Sequence, residues 1–173
     1  MKALTRIPLL FVLLSASVLA VGAQDWKPGE IKVDYDRFED LTTIRIRPMP
    51  LDPSITDGIS ISALFAFNGQ TPPRREPITL QIISASDQWR YLYNRELILL
   101  VDGERMPMGM LARDFAVEQS GMFLESMSKI IPYDIFLRIA NAKKVEGRIG
   151  RKEFEMTPDY LKAFRDLASR MRQ

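Results

Sequence analysis

The chain contains no cysteine and no histidine among its 173 residues. Zinc sites built from Cys and His, Cys or Ser-His nucleophile systems, haem-attachment motifs and thiol redox couples all need these residues. This chain therefore cannot build any of them by itself, which removes most enzyme classes that a motif can reveal. What remains is carboxylate, Ser/Lys or Tyr chemistry, or a function without chemistry.

Other sequence signals of catalysis are also missing. There is no Gly-rich phosphate loop, no Gly-x-Ser-x-Gly motif, no internal repeat and no sustained heptad pattern. Ser126 to Lys129 matches the Ser-x-x-Lys pair of β-lactamases, but the accompanying Ser-Asp-Asn and Lys-Thr-Gly motifs are absent, so we interpret it as a chance match. The sequence identifies no catalytic residues and predicts no metal and no cofactor.

The chain has one long apolar run, and it lies at the N-terminus. Lys2 and Arg6 flank the start of the run from Ile7 to Val21, and small residues follow it before Gln24. This pattern predicts a signal peptide over residues 1–23 that is cleaved on export to the periplasm or the extracellular space. The run is shorter than the roughly 20 residues that span a bilayer as a helix, and no similar run follows, so we expect no transmembrane span in the mature chain. The alternative is a retained N-terminal anchor.

Charge and cysteine usage refine this expectation. Removing Lys2 and Arg6 from the 24 basic residues leaves 22 against 22 acidic residues, so the mature chain is neutral. Without a nucleic-acid-binding motif, a neutral exported chain is not expected to bind nucleic acid. An exported chain without cysteine fits a bacterial envelope better than a eukaryotic secretory route.

Residues 24–130 show mainly the alternation typical of strands. In the segment from Thr42 to Arg47, Ile44 and Ile46 are expected to face the core. Leu97 to Val101 is apolar at all five positions, which predicts a strand covered on both faces, and Asp102-Gly103 after it predicts a tight hairpin. The remaining strand candidates are an edge strand or arm within 24–40, residues 59–67, 78–82 and 104–110, and weaker ones at 115–117 and 123–127.

The pattern changes after residue 130. Pro132 fits the first turn of a helix, residues 145–156 suggest two short strands around Gly150-Arg151, and Thr157-Pro158-Asp159 announces a final helix. The apolar stripe of that helix consists of Leu161, Phe164, Leu167, Ala168 and Met171. The sequence therefore predicts one α+β domain over residues 24–173. Its mostly antiparallel sheet or sandwich has about seven or eight short strands, covered by two C-terminal helices.

The leading candidate site is an aromatic segment. In an extended conformation Trp89, Tyr91 and Tyr93 would project from one face, a platform that could stack on a sugar ring or an aromatic ligand, with Arg90 and Arg95 nearby. We therefore assign Trp89, Arg90, Tyr91 and Tyr93 as candidate ligand-binding residues. The alternative is that the aromatic side chains pack in the core, for example from a helix.

An acidic cluster and a basic segment could each have a function, and each also has a purely structural explanation. Asp34, Asp36, Glu39 and Asp40 could bind a cation or serve glycoside hydrolysis, but they do not match an EF-hand loop and are also typical of a solvated turn. The basic residues between 145 and 153 could face an anionic partner, although a tight hairpin with Glu/Arg pairs explains them equally.

These observations favour an exported, non-enzymatic envelope protein that binds another protein or an extracytoplasmic ligand such as a glycan through a sheet face or strand edge. One alternative is a carboxylate-dependent, glycan-directed hydrolase that uses acids such as Glu39 or Glu104. Another is an anionic-surface binder, because residues 138–173 hold 10 basic against 5 acidic residues and include the final helix. Oligomeric state and partner identity do not follow from the sequence.

Overall fold

The computed structural model of the chain describes residues 27–51 and 57–171. The predicted signal peptide lies outside these residues. Within them the chain forms eleven strands and two helices, which confirms the α+β class and exceeds the seven or eight strands expected. In chain order they are β1 (Ile31–Asp36), β2 (Leu41–Ile46), β3 (Met49–Pro50), β4 (Asp57–Asn68), β5 (Ile78–Ser86), β6 (Glu96–Val101), β7 (Glu104–Met110), β8 (Ala112–Gln119), β9 (Met122–Ile131), α1 (Tyr133–Ala140), β10 (Val145–Ile149), β11 (Lys152–Met156) and α2 (Pro158–Ser169).

The strands form two antiparallel sheets. The large sheet has the order β1-β2-β4-β5-β9-β8, with the short β3 pairing beside it on β4. The small sheet has the order β11-β10-β6-β7. The chain leaves the large sheet after β5, builds the β6–β7 hairpin of the small sheet, and returns for β8 and β9. Residues distant in sequence therefore meet where the two sheets adjoin.

Alternation along the strands correctly predicted which side chains enter the core. Ile44 and Ile46 are buried, as expected, and the apolar positions of β4 form the longest buried row in the large sheet. That row consists of Ile59, Ile61, Ala63, Phe65 and Phe67. Side chains from both sheets and both helices belong to one buried cluster.

The two C-terminal helices pack together over this cluster. Phe136 of α1 and Phe164 of α2 have ring centroids 5.1 Å apart. Every residue of the predicted apolar stripe of α2 is buried. The helix begins as predicted, with Thr157 as an extended N-cap and Pro158 in the first turn, where the missing N–H costs nothing. Neither helix of the described ranges has the length and apolar character needed to cross a bilayer.

The expectation that residues 97–101 are covered on both faces is wrong. Leu97, Leu99 and Val101 are buried, but Leu100 is exposed and Ile98 only half-buried. Their cross-strand partners on β10 are the charged Glu146 and Arg148, which mark this face of the small sheet as the outer one. An unbroken apolar run does not reveal whether its second face finds a cover, because that depends on elements elsewhere in the chain.

The β6–β7 hairpin of the small sheet matches its sequence signal. Asp102 and Gly103 both have positive φ, 51° and 84°, as a type I′ turn requires. The Asp102 carboxylate also accepts hydrogen bonds from the backbone N–H groups of Lys143 and Lys144. This contact ties the β6–β7 turn to the start of β10.

Both edges of the large sheet expose apolar side chains beside charged ones. On β1, Val33 and Tyr35 are 53% and 43% exposed, between Lys32, Asp34 and Asp36. On β8, Phe115 and Val117 are 44% and 45% exposed. Charged residues on edge strands discourage pairing with another chain.

Candidate functional site

The aromatic segment lies in the loop between β5 and β6, which we name the 87–94 loop. It is neither a strand nor a helix, so the expected platform does not form. Tyr91 is only 3% exposed, whereas Trp89 is 37% and Tyr93 is 91% exposed. The backbone turns inward at residues 90 and 91, and alternate side chains therefore do not share a face.

A buried carboxylate causes that inward turn. Glu125 of β9 accepts a hydrogen bond from the backbone N–H of Arg90 at 2.9 Å and from that of Tyr91 at 3.0 Å. A buried carboxylate is costly unless hydrogen-bond donors satisfy it, and here main-chain donors of the loop do so. Because the acceptor belongs to β9, which is paired on both sides by β5 and β8, the middle of the loop is fixed to the large sheet.

Arg95 fixes the other end of the same loop. Its guanidinium donates to the backbone carbonyls of Tyr91 at 3.3 Å, Leu92 at 2.5 Å and Leu111 at 3.1 Å. Arg113 donates to the Leu92 carbonyl as well, at 2.5 Å. Arg95, which the sequence suggested as a neighbour of the ligand, therefore holds the loop in shape from within.

The outer side of the loop borders a depression of about 450 Å³. The turn between β10 and β11 forms its opposite wall, and the backbone N–H of Gly150 in this turn donates to the Glu96 carbonyl at 3.1 Å. A Cβ at position 150 would lie 3.0 Å from the Asn94 carbonyl oxygen, so only glycine permits this close approach without strain. The depression is lined by residues 88–94 of the loop and by Gly150, Arg151 and Lys152 of the turn.

The side chains of three of the four candidate residues lie at this depression or its rim. Trp89 packs edge-on against Phe123 of β9, with ring centroids 4.8 Å apart and planes at 75°, and keeps part of its indole exposed. Tyr93 extends into solvent. The guanidinium of Arg90 forms an ion pair with Asp87 at 3.2 Å. Tyr91, the fourth, belongs to the core.

Arg151 and Lys152 come to this site from a distant part of the chain. Pairing of β10 with β6 brings the β10–β11 turn beside the loop, from about sixty positions further along the chain. Arg90, Arg151 and Lys152 give the wall of the depression three cationic side chains, and no carboxylate is among its described lining residues. The sequence predicts the tight turn at Gly150-Arg151, but it does not indicate that this turn lies beside the 87–94 loop.

The acidic cluster of the β1–β2 turn forms local contacts. Asp34 binds Lys32 at 2.7 Å and Arg45 at 2.9 Å, and these contacts, chiefly the Lys32 hydrogen bond, hold the pKa of Asp34 below its usual value. Asp36 accepts from the backbone N–H of Phe38 at 2.8 Å, and Asp40 accepts from the Tyr35 hydroxyl at 2.8 Å. Across residues 27–51 and 57–171, no group of three or more acidic side chains is arranged to hold a metal ion. The contacts are those of a solvated turn.

The two acids suggested for a hydrolase lie in different sheets. Glu39 belongs to the β1–β2 turn of the large sheet. Glu104 begins β7 of the small sheet and is ion-paired with Arg138 of α1. The depression beside Glu104 is also lined by Asp102 and Asp134 and does not include Glu39. The geometry therefore gives no support to catalysis by this pair.

The final helix is less available as a cationic surface than its sequence suggested. Lys162 is ion-paired with Asp166 one turn later, at 3.1 Å. Arg165 donates to the backbone carbonyl of Ala140, the last residue of α1, at 3.0 Å. Two of its basic side chains thus have partners within the fold.

The Ser-x-x-Lys match has no catalytic geometry. Ser126 and Lys129 both lie in β9, where residues three positions apart point to opposite faces. Ser126 is buried, and its hydroxyl donates to Asp114 at 2.8 Å. The chance interpretation is consistent with this arrangement.

Comparison of the chain with protein-family models, with curated proteins and with solved structures found no match.

Proposed function

We propose that the chain is an exported, non-enzymatic envelope protein that binds an extracytoplasmic ligand in the depression between the 87–94 loop and the β10–β11 turn. One observation carries the proposal. The loop is fixed from inside by the buried Glu125 carboxylate and the Arg95 guanidinium, while Trp89 and Tyr93 point outward.

A connecting loop needs no buried carboxylate to join two strands. Placing Glu125 inside the protein costs desolvation free energy, which the hydrogen bonds of Arg90 and Tyr91 offset only while the loop keeps this shape. Loops held in one conformation by a rigid sheet are where binding residues are usually placed. Large, partly exposed aromatic side chains on such a loop favour contact with a ligand over a purely connecting role.

Export is part of the same proposal. The basic residues, apolar run and small residues of positions 1–23 support a signal peptide, and the lack of cysteine supports a bacterial envelope. We infer that the ligand is met in the periplasm or outside the cell.

Trp89 fluorescence tests the proposed site directly. The chain has two tryptophans, so Trp26→Phe leaves Trp89 as the only one. The protein recovered after export is titrated with a panel of soluble probes: dextran oligomers, oligogalacturonate, its methyl ester, a single-stranded oligonucleotide and p-nitrophenol. We expect at least one probe to change Trp89 emission in a saturable way. The same probe should protect Trp89 from quenching by acrylamide. Arg148→Gln, on the exposed outer face of β10, is the matched control and should leave the titration unchanged.

Two results would contradict the proposal. The first is an indole that acrylamide does not quench, because the ring would then belong to the core. The second is an accessible indole whose emission none of the probes alters. In that case the aromatic residues of the loop would have no role in binding these classes of compound.

A second candidate function, protein binding by strand addition, rests on the exposed Phe115 and Val117 of β8, the last strand at one end of the large sheet within the described residues. A photo-cross-linking amino acid at position 117, used in the envelope of the producing cell, is expected to give one discrete adduct. The same amino acid at the exposed position 162 of α2 is the control. Equal or absent adducts at the two positions would contradict this second function.

A further inference from the structure

We propose that the ligand of this depression is an acidic saccharide, one whose sugar rings carry carboxylate groups. The inference rests on the proposed function of the same site and adds the chemical class of the ligand. It is carried by the pairing of exposed aromatic rings with three cationic side chains around one depression.

The charge of the depression favours an anion. Arg90, Arg151 and Lys152 line it. Arg90 is ion-paired with Asp87, and the buried Glu125 carboxylate lies behind the loop, where it accepts from the backbone N–H groups of Arg90 and Tyr91. The side chain of Arg151 is exposed and forms no ion pair with a described residue. Arg151 is therefore the cationic side chain of the lining that is placed to meet an anion, and a carboxylate can accept two parallel hydrogen bonds from its guanidinium.

The aromatic side chains favour a sugar ring. One face of many pyranose rings is made of C–H groups, which stack on the face of an indole or phenol ring. Trp89 packs edge-on against Phe123, and this contact favours one orientation of the indole before a ligand arrives. Gln88 and Asn94, also in the lining, offer amide groups that can hydrogen-bond sugar hydroxyls.

Single-stranded nucleic acid uses the same two elements, aromatic stacking and positive charge. Proteins that bind it track the strand along an extended basic groove, with several nucleotides per site. This depression is a compact one of about 450 Å³, and the mature chain has no excess of basic residues. The observations therefore favour the saccharide.

Calorimetry with three probes tests the class of ligand. The probes are oligogalacturonate, its methyl ester, which keeps the sugar rings but removes the charge, and oligothymidylate. Oligogalacturonate is expected to bind, and more weakly at 0.5 M than at 0.05 M salt. The methyl ester should bind about tenfold more weakly, as expected for loss of a charge-assisted hydrogen bond.

Variants link the binding to the depression. Arg151→Gln should weaken oligogalacturonate binding about tenfold and leave the methyl ester unaffected, because it removes only charge. Tyr93→Ala should weaken both saccharides. Arg148→Gln removes an exposed arginine three positions away on β10 and should change neither, which controls for general electrostatic attraction.

Each other outcome overturns the inference in a distinct way. If the methyl ester binds as tightly as the acid, charge is not recognised, while the proposed binding function stands. If oligothymidylate binds best and depends on Arg151, the ligand is a nucleic acid. If no saccharide binds but another probe alters Trp89 emission, only the class of ligand is wrong. If no probe of the fluorescence panel binds, both proposals fail.

Discussion

Tyr91 and Glu125 are joined through one backbone N–H, which lies 3.0 Å from one carboxylate oxygen and 3.2 Å from the other. The two residues are 34 positions apart and lie on opposite sides of the β6–β7 hairpin in the sequence. Their contact attaches an irregular loop to β9, a strand that is paired on both sides. The shape of the candidate site therefore depends on a side chain that no ligand would touch.

Replacing this carboxylate should loosen the loop. In Glu125→Gln, one acceptor oxygen becomes an NH₂ group that faces backbone donors. We expect the free energy of unfolding to fall by about 1–3 kcal/mol, the range for an unsatisfied buried polar group. Acrylamide should also quench Trp89 more strongly in the folded protein. The measurements are urea unfolding and steady-state quenching in the Trp26→Phe background.

The matched control for this variant is Glu118→Gln, at an exposed carboxylate of β8. It makes the same chemical change at the surface. Its free energy of unfolding and its Trp89 quenching should equal those of the parent within experimental error. Equal unfolding midpoints and equal quenching for the two variants would show that the Glu125 contact does not maintain the loop.

The ring of Phe154 on the neighbouring strand lies directly over Gly147. A Cβ at position 147 would lie 2.2 Å from Cζ of that ring, which is far inside van der Waals contact. Gly147→Ala should therefore lower the free energy of unfolding by about 1–3 kcal/mol through overpacking. In a Phe154→Ala background the same change should cost much less, because the overlapping atoms are gone. A double-mutant cycle by urea unfolding measures this coupling, and strictly additive effects would contradict it.

Tyr160 should make stability sensitive to alkaline pH. Its hydroxyl is buried without a hydrogen-bond partner among the described residues, and burial raises the pKa of this tyrosine above its usual value of 10.0. Above about pH 10 the unfolded chain ionises Tyr160 first, so this contribution to stability is full below pH 10 and is lost as the pH rises. Tyr160→Phe should lose less stability than the parent between pH 9 and pH 11 in thermal unfolding. If stability falls by the same amount with rising pH in the variant and in the parent, the prediction is contradicted.

The two faces of α2 should respond differently to charge. Phe164→Asp places a carboxylate in the core against Phe136 and should prevent folding. The sequence predicts that Arg165→Asp is nearly neutral, but the hydrogen bond from Arg165 to the Ala140 carbonyl revises this to a loss of about 1 kcal/mol. Lys162→Ala removes only an exposed ion pair and should cost less than Arg165→Asp. Thermal unfolding of the three variants checks the order, and an Arg165→Asp protein as stable as Lys162→Ala would restore the original expectation.

Local sequence patterns predict the elements whose conformation depends on residues close by in the chain. The alternation of residues 59–67 predicted both a strand and its buried face, and Thr157-Pro158 predicted the start of α2. Both signals depend on neighbours within one element. The same applies to Asp102-Gly103, whose positive φ angles belong to the turn itself.

The candidate site could be predicted only in part, because distant residues determine its shape. Aromatic side chains at alternate positions from 89 to 93 give the pattern typical of a strand. No residue near them in the sequence indicates that the backbone turns inward at Tyr91 to reach Glu125. In the same way, Arg151 reaches the loop only because β10 pairs with β6. The sequence indicates this segment as a candidate, but the geometry of the segment depends on the pairing of strands that are distant in the chain.

The insertion of β6 and β7 between β5 and β9 also bears on how the chain folds. The hairpins β1–β2, β4–β5 and β8–β9 each close over short stretches of chain, whereas Gln81 of β5 and its neighbour Ser126 of β9 are 45 residues apart. Closing such a distance is slow compared with forming a hairpin. We therefore expect the docking of β5 on β9 to set the folding rate, with two half-sheets, each carrying an open edge, present until that step is complete.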